Sequence, residues 1–183
     1  MRVPLLLRLH AHDRALFSRF ALTDDAPRWT MRGWLAITHL GGATATIIAV
    51  LLPLLGLPLT AYHAVLKPYH AVALGAWSLL LSHLAVQIVK RNTVRPRPDV
   101  AIQGNSLVYA PDRFSFPSGH ASSAMTVACV YSLQMPPYAM LFIAIAVLIG
   151  MSRVRLGVHF FSDVIAGQAI SIATVLGAWA VLR

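Results

Sequence analysis

Charge is scarce in this sequence. Only 11% of its 183 residues are Asp, Glu, Lys or Arg, and 57% are hydrophobic. A soluble domain carries about a quarter charged residues, so a soluble fold is excluded. A disordered chain is excluded as well, because it lacks this much apolar content. Acid is scarcer still, with six Asp and Glu against fifteen Lys and Arg. Cysteine occurs once, at Cys129. Neither an intrachain disulfide nor a zinc-cysteine cluster can form, and in its apolar run Cys129 reads as a small packing residue. Period-two alternation is missing too, which argues against an outer-membrane barrel. No signal-peptide pattern opens the chain: Met1–Leu9 is broken by Arg2 and Arg8, with no small-residue cleavage site.

Present instead are uncharged stretches at Trp34–Leu57, Ala71–Val89, Phe114–Ser152 and Val164–Leu182, with a mean hydropathy of +0.68. A membrane-crossing helix needs ~20 apolar residues, and the third stretch is long enough for two. The sequence therefore predicts an all-α polytopic membrane bundle of five spans. They run from about Trp34 to Leu52, Ala71 to Val89, Ser118 to Met135, Tyr138 to Met151 and Asp163 to Leu182. Pro136-Pro137 separates the third from the fourth, and Pro96 and Pro98 stop the second. Residues 1–32 interleave leucines and phenylalanines with arginines, the composition of an N-terminal helix lying in the membrane interface. Thr23–Pro27 reads as the turn that ends it. Residues 1–183 form one membrane-embedded domain, with 1–32 interfacial and 33–183 the bundle. About Asp99 to Ser115 is a polar loop.

Five spans put the N-terminal segment, Lys90–Ser115 and Ser152–Asp163 on one face. That face carries three clusters: Lys90 with Arg97-Pro98, then Pro117-Ser118-Gly119-His120, then Ser152-Arg153 with His159 and Asp163. These are the parts a phosphoryl-transfer site requires. Lys90, Arg97 and Arg153 supply charge for phosphate oxygens, arginine's fork suiting them especially. Ser118-Gly119 opens a helix whose free N–H groups and dipole favour an anion. Two histidines remain, one for attack and one for protonating the departing oxygen. Asp163, four residues after His159, is placed to fix an imidazole tautomer. Arg91, Arg95 and Arg155 read as interfacial side chains reaching for headgroups, and His39 and His83, inside spans, as hydrogen-bonded packing residues. Gly41-Gly42 and Ala121–Ala124 allow close helix contact.

The three clusters resemble the tripartite signature of the type 2 phosphatidic acid phosphatase family, membrane lipid phosphate phosphatases. The resemblance covers Lys90–Asp163 strictly and the whole chain in architecture. It implies that His159 is the nucleophile, Asp163 its orienting partner and His120 the general acid. Lys90, Arg97, Ser118, Gly119 and Arg153 become the phosphate-binding set. It implies a phosphohistidine intermediate and neither metal nor other cofactor. Phe160-Phe161 stands where many members have an aromatic followed by proline, a difference that touches loop shape alone.

The implied substrate is a lipid with a phosphomonoester or diphosphate headgroup, phosphatidic acid or phosphatidylglycerophosphate, the alternative being undecaprenyl or another polyprenyl diphosphate. A haloperoxidase and a non-catalytic transport or structural membrane protein are the readings from other classes. Nucleic acid is not an expected partner, since the basic residues flank spans and form no stripe. The implied location is a bacterial cytoplasmic membrane. Of the fifteen basic residues only Lys67 and Arg183 lie off the motif face. The positive-inside rule then puts the site in the cytoplasm, whereas bacterial relatives mostly act on the outer face. The side and the oligomeric state stay open at this stage.

Overall fold

The computed structural model describes residues 5–23, 25–55, 65–101, 107 and 113–182. Helices occur at Leu5–Phe20 (α1), Arg28–His39 (α2), Ala43–Leu51 (α3), Pro68–Thr93 (α4) and Pro98–Ala101 (α5). They continue at Gly119–Gln134 (α6), Ala139–Arg155 (α7) and Phe161–Leu182 (α8). Among the described residues the one β-pairing is an isolated bridge between Pro96 and Phe114.

Three helices are long and apolar enough to cross a membrane: Pro68–Thr93, Pro136–Arg155 and Phe161–Leu182. A fourth crossing arises if α2 and Ala43–Leu55, bent by 50° at their junction, count as one. The expected third span, α6, has 16 residues, about 24 Å at ~1.5 Å each, short of the ~30 Å hydrocarbon core. It is the central helix, packed by α3, α4, α7 and α8. Its small residues Ala124 and Ala128 meet Ala146 and Ile149. Its hydroxyls are satisfied sideways: Ser122 Oγ lies 2.7 Å from Ser171 Oγ, and Thr126 Oγ1 3.2 Å from Ser82 Oγ. Large apolar side chains that stay exposed, such as Leu80, Leu84, Ile88, Leu141, Ile145 and Ile172, lie on the outer helices. In water such a surface would aggregate; against lipid it is the expected coat.

Several boundaries differ from the sequence expectation. The first span is broken at Leu40–Gly42 and begins at Arg28 rather than Trp34. A Cβ on Gly41 would sit 2.6 Å from Ile149 Cγ2 and 3.0 Å from the His120 carbonyl. The glycine pair thus lets the elbow press onto the start of α6, where Ser123 Oγ donates to the Gly41 carbonyl at 2.7 Å. The second span starts at Pro68 and runs on past Val89 to Thr93, ending ahead of its prolines at Val94 in the left-handed region, φ 46 and ψ 33, a conformation costing a β-branched residue ~1–2 kcal/mol. Pro136 and Pro137 do separate α6 from α7, as expected. They form a 3-10 turn leading into α7, where a missing N–H costs nothing, so the span reaches 20 residues. Pro98 opens the short helix α5 inside the expected polar loop; Gly104, Asn105, Pro111 and Asp112 of that loop, like His63, lie outside the described residues.

The shared face is confirmed by direct contacts. Leu22 N donates to the Arg155 carbonyl at 2.8 Å, and Leu107 N to Leu156 O at 3.2 Å. At the opposite end Gln134 clamps the chain before α4, donating to Leu66 O at 2.9 Å and accepting from Leu66 N at 3.1 Å. Helix α1 is anchored to this motif face, with Phe17 edge-on to Phe160 at 5.5 Å and Phe20 to Phe161 at 5.2 Å.

Among the described glycines the tightest approach is at Gly167, where a Cβ would lie 2.4 Å from the Ser118 carbonyl oxygen. The Gly167→Ala substitution is expected to destabilise the protein by about 1–3 kcal/mol and displace the Pro117–His120 turn. Thermal unfolding in detergent, alongside Gly177→Ala, which meets nothing within 4 Å, checks this.

Candidate active site

A cleft of about 520 Å³ opens between α3, α4 and α6. One end is polar, lined by Lys90, Arg97, Gly119, His120, Arg153 and His159. The other is largely apolar, with Ile47, Leu79, Leu80 and Val86 on its walls. Six of the eight residues expected from the sequence therefore meet at one place. The other two, Ser118 and Asp163, are fully buried behind it.

Each arrives by a local cause. Lys90 is in the last turn of α4, and the left-handed Val94 turns the chain so that Arg97 follows it inward. Ser115 then pins that strand, its N–H donating to Arg95 O at 2.9 Å and its Oγ to Pro96 O at 3.1 Å. Arg153 lies in the last turn of α7, where Nη1 donates to Thr38 Oγ1 on α2 at 2.6 Å. His159 sits in the α7–α8 connection after Gly157, whose φ of 80° only glycine adopts without strain.

His159 is 2% exposed. Its Nε2 lies 3.4 Å from Arg97 Nη1, which also donates to Val158 O at 2.8 Å. A guanidinium can only donate, so this contact fits the tautomer with Nε2 unprotonated and the ring proton on Nδ1, toward Asp163. Nδ1 faces Asp163 Oδ2 at 3.5 Å. That is longer than a formed hydrogen bond, and Nδ1 has no other partner among the described residues. Burial above all pushes the His159 imidazole down to about 4; Asp163 opposes the shift, and Arg153 and Arg97 add to it. The ring is therefore neutral at pH 7, with a lone pair directed at the cation-lined end of the cleft.

Ser118 does not do what its position at the helix start implied. Its N–H donates to the Asp163 carbonyl at 2.9 Å and is spent inside the protein. Its Oγ is buried without a partner among the described residues. The cleft-facing part of this turn is Gly119, which has nothing within 4 Å of where a Cβ would stand.

Some residues were missed or misread. Arg95 is no headgroup seeker: Nη1 donates to Asp163 Oδ1 at 2.6 Å and Nη2 to Asp13 Oδ2 at 2.6 Å, with its guanidinium 4.3 Å from the Phe160 ring centroid. Arg155 also turns inward, donating to Phe20 O at 3.2 Å. His39 and His83 are exposed rather than packed, and His83 lines the cleft with Gln87, one helical turn apart. Asp13 carried one available signal: it is an acidic residue inside a basic amphipathic helix, in a chain with six acids. Among the described residues no three His, Cys, Asp or Glu side chains gather as a metal site.

The family model for the PAP2 superfamily matches residues 71–183. The chain belongs to the PAP2 superfamily. Phosphatidylglycerophosphatase B of Bacillus subtilis is 30% identical over 187 residues, covering 92% of this chain and 85% of the relative. The lipid A 1-phosphatase of Rhizobium johnstonii is 37% identical over 108 residues, 56% of this chain; the match spans only 42% of that relative's length. Among solved structures, a transmembrane PAP2 type phosphatidylglycerolphosphate phosphatase from Bacillus subtilis superposes with a TM-score of 0.74 at 23% identity. That likeness covers 95% of this chain and 86% of the other, and establishes the fold. This PAP2 chain, with its apolar helices, is an integral membrane protein.

The open space at Gly119 yields a prediction. Gly119→Ala is expected to leave the unfolding temperature within about 2 °C, since nothing is displaced, and to weaken vanadate binding about tenfold by placing a methyl where an oxyanion approaches the helix start. Calorimetric titration with vanadate checks it.

Proposed function

We propose that this protein is a membrane lipid phosphate phosphatase, acting on a phosphomonoester or diphosphate headgroup through a phosphohistidine. The observation that carries the reading is His159 Nε2, unprotonated beside Arg97 and opening on a cleft whose polar end holds three cations and whose walls are apolar. A cleft of that polarity takes a phosphate at one end and a lipid tail along the other. The names of the relatives, phosphatases of lipid phosphates in bacteria, point the same way.

In the first step Nε2 attacks phosphorus and the bond to the leaving oxygen breaks. His120, as the imidazolium that the bound phosphate's negative charge favours, gives that oxygen its proton, and Asp163 supports the positive ring that forms on His159. In the second step water attacks phosphorus and the P–N bond breaks. The water proton goes to His120, and inorganic phosphate leaves. Lys90, Arg97, Arg153 and the Gly119 turn neutralise the equatorial oxygens throughout, an electrostatic contribution of the kind that usually dominates phosphoryl transfer. Ser118 serves this set from behind, as a hydroxyl one layer below the cleft. We read the architecture as one domain with five crossings, the bent α2–α3 pair and the short α6 included, in a bacterial cytoplasmic membrane with α1 along its interface.

Phosphate release from detergent-purified protein tests this, with phosphatidic acid, phosphatidylglycerophosphate and undecaprenyl diphosphate in parallel and EDTA present. Release that survives EDTA and vanishes in His159→Ala is expected; Asp163→Asn should lower kcat by about 10³–10⁴. No release on any of the three by folded protein would sink the proposal. The pH profile carries a sign. His159 is neutral above about 4 and is lost as nucleophile as pH falls through that value. After correction for the substrate's own ionisation near ~6, the acid limb of kcat/KM is expected near pH 4, well below an ordinary histidine. In Asp163→Asn it should move lower still, because Asp163 is what raises the imidazole.

A further inference from the structure

Behind the cleft, on the side away from substrate, a chain of charges continues from Asp163 to two groups, Arg95 and Asp13, that the proposed chemistry does not use. Asp13 of α1 is 5% exposed. Its carboxylate receives three donors: Ser162 N at 3.1 Å, the Ser162 hydroxyl, and Arg95 Nη2 at 2.6 Å. Arg95 spends its other terminal nitrogen on Ser162 Oγ at 2.7 Å and Asp163 Oδ1 at 2.6 Å. Asp163 Oδ2 accepts from Phe160 N at 2.8 Å and faces His159 Nδ1 at 3.5 Å. Four groups from three distant parts of the sequence form one line: Asp13, Arg95, Asp163, His159.

The charges explain why Asp13 belongs to that line. A lone guanidinium in contact with Asp163 would neutralise it and leave little field for a developing imidazolium. A second carboxylate on the same guanidinium divides the cation between two anions, so that Asp13, Arg95 and Asp163 together carry one negative charge. In a buried setting that charge is felt strongly across 3.5 Å. The fork geometry fixes direction as well as charge. With Oδ1 held by Arg95 and Oδ2 by the Phe160 amide, the carboxylate cannot turn away from Nδ1.

We propose that Arg95 and Asp13 are positioning residues for His159, acting through Asp163, and that helix α1 is thereby a working part of the active site. This rests on His159 being the nucleophile. The groups facing the histidine are Asp163, Arg97, Arg153 and His120; of these only Asp163 is in reach of Arg95. Helix α1 is held in place by Phe17 on Phe160, so the same contact that seats the helix also seats the ring stacked on Arg95.

The test combines turnover with a readout that needs none. In full-length protein labelled with ¹⁵N-histidine, the wild-type His159 resonances, identified by their loss in His159→Ala, are expected to report the Nδ1–H tautomer. Arg95→Gln is expected to admit the Nε2–H form. With phosphatidic acid as substrate, Arg95→Gln should lower kcat about 10- to 100-fold, the usual effect of losing the group that orients a functional histidine, and leave KM within about twofold. Arg95→Lys should recover part of kcat, keeping charge but losing the fork. Asp13→Asn, which preserves shape, should lower kcat less, and should cost nothing more in the Arg95→Gln background, because its effect runs through Arg95. If Arg95→Gln fails to fold, Asp13→Asn carries the test by the same tautomer and kcat shifts. An unchanged tautomer, an effect confined to KM, or losses that multiply in the double variant would overturn the proposal. Absence of phosphate release from wild type, with the tautomer shift present, would overturn the phosphatase reading and leave the positioning assignment standing.

Discussion

Asp163 is the residue on which the rest of this structure turns. It is fully buried, and an uncompensated carboxylate there would cost several kcal/mol. Its charge is met from two sides, and its main chain engages a third. Arg95, beside Arg97, takes Oδ1; the amide of Phe160, beside His159, takes Oδ2; the main-chain carbonyl of Asp163 separately receives the N–H of Ser118. This one residue therefore ties together the end of α4, the start of α6 and the α7–α8 connection.

A bundle facing lipid gains little from hiding apolar surface, so its helices associate through close backbone approach and internal hydrogen bonds. The central helix α6 shows both. It is short and rich in alanine and serine, and it meets its neighbours through Ser122 with Ser171, Thr126 with Ser82, and Ser123 with the Gly41 carbonyl. Its first turn, with Gly119 and His120, lines the same cleft as the apolar Ile47 and Leu80.

Much of this was legible in the chain. The low charge and long apolar runs dictate a helical membrane protein, since no other fold satisfies backbone polar groups in hydrocarbon without alternation. The Lys90, Pro117 and Ser152 clusters carried fixed spacings that parity placed on one face, and six of their residues line the cleft. Span ends were read less well. Gly41-Gly42 is the close-contact site it looked like and also an elbow; Pro136-Pro137 divides α6 from α7 as it looked to, and does so as a 3-10 turn leading into α7. Glycine and proline mark a change of backbone without stating its kind, because the outcome depends on what packs against it.

What the sequence determined by itself was the solvent, the secondary structure and the inventory of the site, because hydropathy over ~20 residues and motif spacing along one helix are local properties. Only the tertiary structure decided where Arg95 goes. Arg91, Arg95 and Arg97 follow one another within seven residues; the spacing from Lys90 and the following Pro98 single out Arg97, and nothing local separates Arg91 from Arg95. The turn at Val94 sends Arg97 to the cleft and Arg95 to the back of Asp163, while Arg91 stays exposed on the helix. Asp13 stood out in the sequence only as an acid in a basic helix, and its contacts were unreadable for the same reason: its partners lie 82 and 149 residues away, and a buried ion pair is specified by the geometry of both ends at once.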